Sequence, residues 1–136
     1  MKKYELIDHT ADVGVKAYGS SVSEAFSNAA KAMFDLMTDE SEIDEIGEFT
    51  IELDAPDLEQ LLVDWLSELL YIHDVDGLVF SRFEISLNKT HLSAKIFGES
   101  FNINKHKIGI EIKAVTYHML TVQENTPVFV QVLFDI

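Results

Sequence analysis

The pattern of apolar and polar positions predicts a first amphipathic helix over about residues 22–37. Apolar side chains recur there every three or four positions, which is typical of a helix with one buried face. These side chains are Val22, Ala25, Phe26, Ala29, Ala30, Met33, Phe34 and Met37. Ser21, followed three positions later by Glu24, forms a capping box that satisfies backbone N–H groups of the first turn. We therefore expect this helix to begin directly after Ser21.

A second helix is predicted between Asp57 and Gly77. Asp57 is the expected N-cap, with Gln60 three positions later, and Gly77 lies just beyond the expected end. The apolar stripe is wider than that of the first helix, so we expect two packing neighbours. Its members are Leu58, Leu61, Leu62, Trp65, Leu66, Leu69 and Leu70.

Most of the remaining chain alternates between apolar and polar residues, as strands do. Alternation is clear around Val15, Ile51 and Ile85, and residues 88–90 are expected to turn the chain into a hairpin partner. Residues 108–122 and 127–134 are also predicted to form strands. The order of elements predicts an α+β fold with two helices covering one face of a largely antiparallel sheet. The pattern of strands and one helix occurs twice.

Length, composition and charge narrow the class of protein. The 136 residues fit one domain, and 47% hydrophobic residues are enough for a core. The formal net charge of −14 opposes direct binding of nucleic acid and attracts cations and basic protein surfaces. There is no cysteine, no signal-peptide pattern and no apolar run long enough to cross a membrane. We expect a soluble cytoplasmic protein without a membrane partner.

Several motifs that carry chemistry are missing from the sequence. It has no glycine-rich phosphate loop, no nucleophile elbow and no His-Glu-x-x-His zinc motif. The five histidines are scattered without ligand spacing. The stretch "HDVDG" at residues 73–77 resembles a calcium loop, but its glycine comes too early, so we interpret it as a helix terminus.

Carboxylates at special places in the chain are the remaining candidates. Asp8 and Asp12 flank a break between two strands, and in extended chain they could face the same side. Asp135 follows the apolar stretch "VFVQVLF", and the terminal carboxylate of Ile136 comes next. If the first and last strands are neighbours, these groups converge. Such a cluster is unfavourable unless a cation neutralises it or some groups hold protons, and oxygen ligands favour Ca²⁺ or Mg²⁺.

Simpler interpretations remain open for each of these features. An aspartate before a turn is commonly an N-cap or an Asx-turn residue, and a terminal aspartate is commonly solvated. Asp64 and Glu68 either point into a cleft or lie on the flank of the second helix. The basic cluster at residues 105–107, with Lys113, is a hairpin tip or a docking point for an anion. The acidic loop at residues 38–48 is solvated or meets a basic partner.

The motifs "YELIDHTADVGVKAYGSSVSEAF", "LLVDWLSELLYI", "KAVTYH" and "VFVQVLFDI" resemble the archease family, in the same order and over nearly the whole chain. The resemblance implies a single archease-type domain over residues 1–136. It also implies an α+β fold in which one strand-helix-strand-strand module is nested in another, which agrees with the doubled pattern.

The resemblance further implies a role as a protein cofactor that is not itself an enzyme. Archeases activate the GTP-dependent tRNA-splicing RNA ligase, which joins a 3′-phosphate or 2′,3′-cyclic phosphate end to a 5′-hydroxyl end. They promote guanylylation of the ligase's active-site histidine and multiple turnover, so RNA and GTP are met only through the ligase. The implied metal ligands are Asp12, Asp135 and the terminal carboxylate of Ile136, with Asp8 as a supporting or structural group. The implied ion is Ca²⁺, with Mg²⁺ or Mn²⁺ as alternatives.

Two other functions stay open. One is a metal-dependent phosphoesterase that uses the same carboxylates, for which no nucleophile or base can be assigned. The other is a general chaperone or adaptor, in which an ion only rigidifies the end of the chain.

Overall fold

The computed structural model describes residues 2–9 and 11–136; Met1 and Thr10 lie outside it. In these residues the chain forms two helices and eight strands. In chain order they are β1 (Tyr4–His9), β2 (Asp12–Tyr18), α1 (Val22–Thr38), β3 (Gly47–Asp54), α2 (Leu58–Asp76), β4 (Leu78–Asn88), β5 (His91–Ser100), β6 (Ala114–Val115), β7 (Thr121–Gln123) and β8 (Phe129–Asp135).

Helix α1 begins where its sequence predicts. The Glu24 backbone N–H donates to Ser21 Oγ at 3.1 Å, and Glu24 Oε1 accepts from the backbone N–H of Ser20 at 2.9 Å. The reciprocal bond of the capping box therefore closes on Ser20, one residue before the cap. Both bonds satisfy N–H groups that a helix start leaves without an intrahelical partner.

Helix α2 also has the predicted ends. Its N-cap Asp57 accepts from the Gln60 backbone N–H at 2.8 Å. It ends at Gly77, whose φ of 67° is a left-handed conformation that glycine adopts without a steric penalty. The interpretation of "HDVDG" as a helix terminus is confirmed.

All strand pairs are antiparallel, and they form two sheets. One has the order β1-β2-β8-β6, with β7 also paired to β8; the other has the order β3-β5-β4. The predicted α+β class is confirmed, with the strands divided between two sheets. The segment β3-α2-β4-β5 supplies the whole of the second sheet and lies in sequence between α1 and the strands that complete the first. This is the nested arrangement of modules.

One apolar core joins the two helices to both sheets. Trp65 of α2 is fully buried, and its indole N–H donates to the backbone oxygen of Phe26 in α1 at 3.1 Å. Phe34 of α1 packs against Phe80 and Phe83 of β4, with ring centroids 5.5 and 6.0 Å away. Helix α1 is therefore the element around which the two modules pack.

The prediction of strands over residues 108–122 holds for only part of that range. Only Ala114–Val115 and Thr121–Gln123 are strands there. The backbone N–H groups of Gly109 and Ile110 donate instead to the oxygens of Met37 and Leu36, each at 2.9 Å. These oxygens belong to the last turn of α1, where carbonyl groups have no intrahelical partner. Ile108, Ile110 and Ile112 alternate with other residues as in a strand. The segment instead supplies hydrogen-bond donors to the last turn of α1.

Neither helix in the described part of the chain has the length and apolar character needed to cross a membrane.

Candidate metal centre

Asp12 and Asp135 are register partners on adjacent antiparallel strands. Asp12 is the first residue of β2 and Asp135 is the last residue of β8, and the two are directly opposite each other. Directly opposite residues project from the same face of a sheet, with Cβ atoms typically about 4.5–5.5 Å apart. The structure thus brings together the two aspartates on which the predicted site depends. The last strand pairs with the second strand, β2, which places β1 one strand further out.

The backbone of Asp135 is held from both sides. Its other register partner is Ala114 of the short strand β6, and the Lys113 backbone N–H donates to the Asp135 oxygen at 2.7 Å. Ile136 follows directly, one residue from the aspartate pair. Sequence reasoning missed this support, because a two-residue strand leaves no detectable alternation.

Asp8 lies on the other face of the β1-β2 hairpin. Its register partner is Val13, whose side chain is nearly buried in the core, whereas Asp12 is the partner of His9. Because neighbouring residues of a strand alternate between faces, Asp8 and Asp12 point to opposite sides. The expectation that they share a side is wrong. It assumed one extended strand, but the chain reverses between them at a turn that includes Ala11, with φ of 63°.

The donor set fits a hard divalent cation. Like charges directly opposite on two strands destabilise the sheet, and a cation between them removes that cost. Among residues with described side chains, no three His, Asp or Glu groups are placed to hold a metal together. A site here would therefore combine Asp12 and Asp135 with the terminal carboxylate of Ile136 and water. Such an open, all-oxygen set suits Ca²⁺, or Mg²⁺ with several retained waters.

The basic cluster at residues 105–107 is tied to acidic groups of the protein itself. Lys105 Nζ lies 2.5 Å from Asp44 Oδ2 and 2.7 Å from Glu99 Oε2. His106 is only 2% exposed, and its Nε2 lies 2.9 Å from the same Glu99 oxygen. This cluster joins the loop after β5 to the acidic loop before β3. These two carboxylates neutralise Lys105, which weakens the alternative of an anion-docking point.

The same contacts set the ionisation of Glu99. Burial alone raises the pKa of this carboxyl group, but hydrogen bonds from Lys105, the Asp44 backbone N–H and His106 outweigh that effect and hold its pKa at about 2. His106 Nδ1 accepts from the Asn102 backbone N–H at 3.0 Å, which leaves Nε2 to donate to Glu99. Glu99 is therefore the ionised centre of a structural connection between two loops.

Asp64 and Glu68 are both partly exposed residues of α2. Asp64 Oδ1 accepts from Gln60 Nε2 at 2.8 Å, one helical turn earlier, and Gln60 Nε2 also contacts the hydroxyl of Tyr117 at 3.1 Å. Glu68 is half-buried on the same helix. Of the two alternatives for Asp64, its contact with Gln60 favours the flank position.

Comparison with known proteins places this fold in a family. The model of the Archease protein family matches residues 4–136. The chain belongs to the archease family. Its relatives include the archease of Sulfolobus acidocaldarius, 43% identical over 96% of this chain and 95% of that protein. The archease of Pyrococcus abyssi is 41% identical over 91% of this chain and 90% of that protein.

Solved structures show the same archease fold. The solution structure of protein 1598 from Methanobacterium thermoautotrophicum aligns with a TM-score of 0.83 at 38% identity, over the whole of both chains. The crystal structure of an archease from Thermotoga maritima, described as a possible chaperone, aligns with a TM-score of 0.62 at 23% identity over 96% of this chain and 94% of that one.

Proposed function

We propose that this archease is a metal-binding accessory protein of the GTP-dependent tRNA-splicing RNA ligase. In this role it promotes guanylylation of the ligase's active-site histidine and is not itself the catalyst. The single observation that carries the proposal is the register pairing of Asp12 with Asp135 in a chain of this family. The pairing supports an ion site made from both ends of the chain.

Asp12, Asp135 and the Ile136 carboxylate would hold the ion, with Ca²⁺ as the first choice and Mg²⁺ or Mn²⁺ as alternatives. When bound, the ion neutralises the opposed carboxylates and leaves coordination positions open to water or to a partner's oxygen atoms. The backbone of Asp135 is fixed by β2 on one side and by Lys113 on the other, so the ligands are held by sheet structure. A rigid support of this kind favours precise placement of the ion.

The net charge of −14 supports a contact with protein more than with RNA. An acidic surface repels the phosphate backbone and is attracted to the basic surroundings that a nucleotide-binding ligase needs. In the proposed complex the acidic end of the sheet approaches the nucleotide and metal site of the ligase. There it helps to position GTP and the histidine, while RNA contacts only the ligase.

The test is a ligase guanylylation assay with added wild-type protein, Asp12→Asn or Asp135→Asn. We expect each substitution to remove most of the stimulation, because it removes one negative charge from the ligand set while changing little in volume. Glu124→Gln is the matched control, since Glu124 is an exposed carboxylate in the turn between β7 and β8 and should leave stimulation intact. If both aspartate variants stimulated guanylylation at the wild-type rate, the ion site would not be needed for activation of the ligase.

The terminal carboxylate needs a separate experiment. An extension of a few residues after Ile136 moves the main-chain carboxylate away while both aspartates stay in place. We expect Ca²⁺ binding, measured by isothermal titration calorimetry, and ligase stimulation to fall together. Full Ca²⁺ affinity in the extended protein would remove Ile136 from the ligand set.

A chaperone or adaptor role is the second candidate. It is favoured by the description of the Thermotoga maritima archease and by exposed aliphatic side chains, including Ile46, Ile103 and Ile108. In that role partner affinity would survive removal of the ion with a chelator. Ligase stimulation that disappears with the chelator and returns with Ca²⁺ would decide against it.

A further inference from the structure

A groove of about 390 Å³ lies between strand β1 and the segment 108–110, away from the aspartate pair. Its apolar lining includes Leu6, Ile108 and Ile110, which are 52%, 72% and 37% exposed. Leu36 and Tyr4 complete the apolar floor. Aliphatic side chains gathered in one open groove are characteristic of an interaction surface.

Hydrogen bonds fix both walls of the groove. The Tyr4 hydroxyl donates to Asp35 Oδ2 at 2.7 Å and links β1 to α1. The opposite wall is anchored where Gly109 and Ile110 donate to carbonyl oxygens in the last turn of α1. The groove is therefore preformed, which lowers the entropic cost of filling it.

One wall is the free edge of a sheet. Strand β1 pairs with β2 alone in the described residues. The Tyr18 backbone N–H donates to the Lys3 oxygen at 2.7 Å, which marks Lys3 and Tyr18 as a hydrogen-bonded pair. Such pairs alternate along an antiparallel ladder, so the backbone N–H and C=O groups of Tyr4, Leu6 and Asp8 point away from β2. The free edge thus offers donors and acceptors directly beside the apolar groove.

The rim of the groove is acidic. Asp39 and Glu40 line it at the end of α1, and both are exposed. Asp8 lies further along β1 on the same face as Leu6, because their register partners Val13 and Val15 both face the core. These carboxylates favour a basic occupant.

We propose that this groove binds an extended, basic segment of a partner protein, which adds to β1 as a further strand. Main-chain hydrogen bonds to the free edge of Leu6 supply part of the affinity. Aliphatic side chains at alternate positions of the segment fill the groove beside Leu6, Ile108 and Ile110. Lysine or arginine side chains at other positions of the same face meet Asp39, Glu40 and Asp8. The inference goes beyond the proposed function and needs neither an ion nor the ligase.

The test uses the full chain, labelled with ¹⁵N, and a short capped peptide in which valine and lysine share one face, separated by threonine at every second position. On binding, we expect amide hydrogen exchange to slow at Leu6, whose N–H faces the free edge. Exchange at Glu5 and Ile7 should change less, because their N–H groups already bond to β2. A peptide with glutamate in place of lysine should bind at least roughly tenfold more weakly.

Two substitutions separate the groove from general electrostatics. Ile108→Lys should weaken binding of the lysine peptide by roughly tenfold or more, since it adds a like charge and removes an apolar contact. Ile46→Lys is the matched control, because Ile46 is 77% exposed and outside the groove lining. Asp39→Asn, which keeps a residue suited to the left-handed φ of 50° at this helix cap, should weaken binding by a smaller factor.

The proposal is overturned by any one of four results. These are no binding of the lysine peptide, equal losses for Ile108→Lys and Ile46→Lys, unchanged exchange at Leu6 in the bound state, and dimerisation of the free chain through β1 in sedimentation. Ca²⁺ and ligase are absent from this assay, so its failure is distinguishable from failure of the proposed metal function.

Discussion

Asp12 and Asp135 face each other across strands β2 and β8, although one lies near the beginning of the chain and the other next to its end. Two carboxylates in that position repel each other unless a cation lies between them. An ion held by both carboxylates, as proposed, would connect strands β2 and β8.

Asp135→Asn should raise the free energy of unfolding in the absence of Ca²⁺ and lower it, relative to wild type, in its presence. Without divalent ions, the free energy of unfolding of the variant should be about 0.2–1 kcal/mol higher than that of wild type, because a like-charge pair is removed. The variant is then the more stable protein. With Ca²⁺ at about a hundred times its dissociation constant, wild type should gain about 2.7 kcal/mol that the variant lacks. Thermal unfolding with EDTA and then with Ca²⁺ measures both effects, with Glu124→Gln as control. An undiminished Ca²⁺ effect in the variant would contradict the assignment of Asp135 as a ligand.

Glu99 should make the stability of the fold depend on acid pH. Its pKa of about 2 in the folded state lies well below the ordinary value near 4.3. Between these values the unfolded chain binds a proton that the folded chain does not. The contribution of Glu99 is therefore complete above about pH 4.3 and is lost as the pH falls through about 2.

Replacing Glu99 tests this expectation. Glu99→Gln should lower the free energy of unfolding at neutral pH by roughly 1.5–3 kcal/mol, because charge-assisted hydrogen bonds from Lys105 and His106 are weakened. The difference from wild type should shrink as the pH falls, measured by urea unfolding at a series of pH values. Glu48→Gln, at an exposed position of β3, should show a small difference that does not vary in this way.

Gly109→Ala should detach the segment 108–110 from α1. A Cβ at this position would lie 2.1 Å from the Leu36 oxygen and 2.8 Å from the Asp39 nitrogen, both backbone atoms. We expect a loss of about 1–3 kcal/mol in unfolding free energy and faster amide exchange at Ile110. Gly77→Ala is a suitable contrast, because its Cβ meets nothing within 4 Å and its cost comes only from a φ of 67°. Slow exchange at Ile110 in the Gly109→Ala protein would show that the segment is held by other contacts.

Local patterns were sufficient for the helices because their causes are local. Ser21 and Asp57 cap the helices through hydrogen bonds that span three residues, and Gly77 ends α2 through its own backbone conformation. The antiparallel α+β class followed from the alternation of apolar residues. The isoleucines at 108, 110 and 112 have the same alternation. Their segment is not a strand, because its N–H groups pair with carbonyl groups at the end of α1, which is distant in sequence.

The sequence by itself determined the helices, most strands and the acidic charge, because periodicity, capping and composition are properties of neighbouring residues. The ligand set Asp12, Asp135 and Ile136 is what the resemblance to archeases implies. Only the tertiary structure decided that β8 pairs with β2, that Asp8 faces away from Asp12, and that Leu6 and Ile108 line one groove. These facts depend on strand register and on packing between distant segments. A shift of one residue in register exchanges the two faces of a strand, and no local pattern fixes which distant residue is the partner.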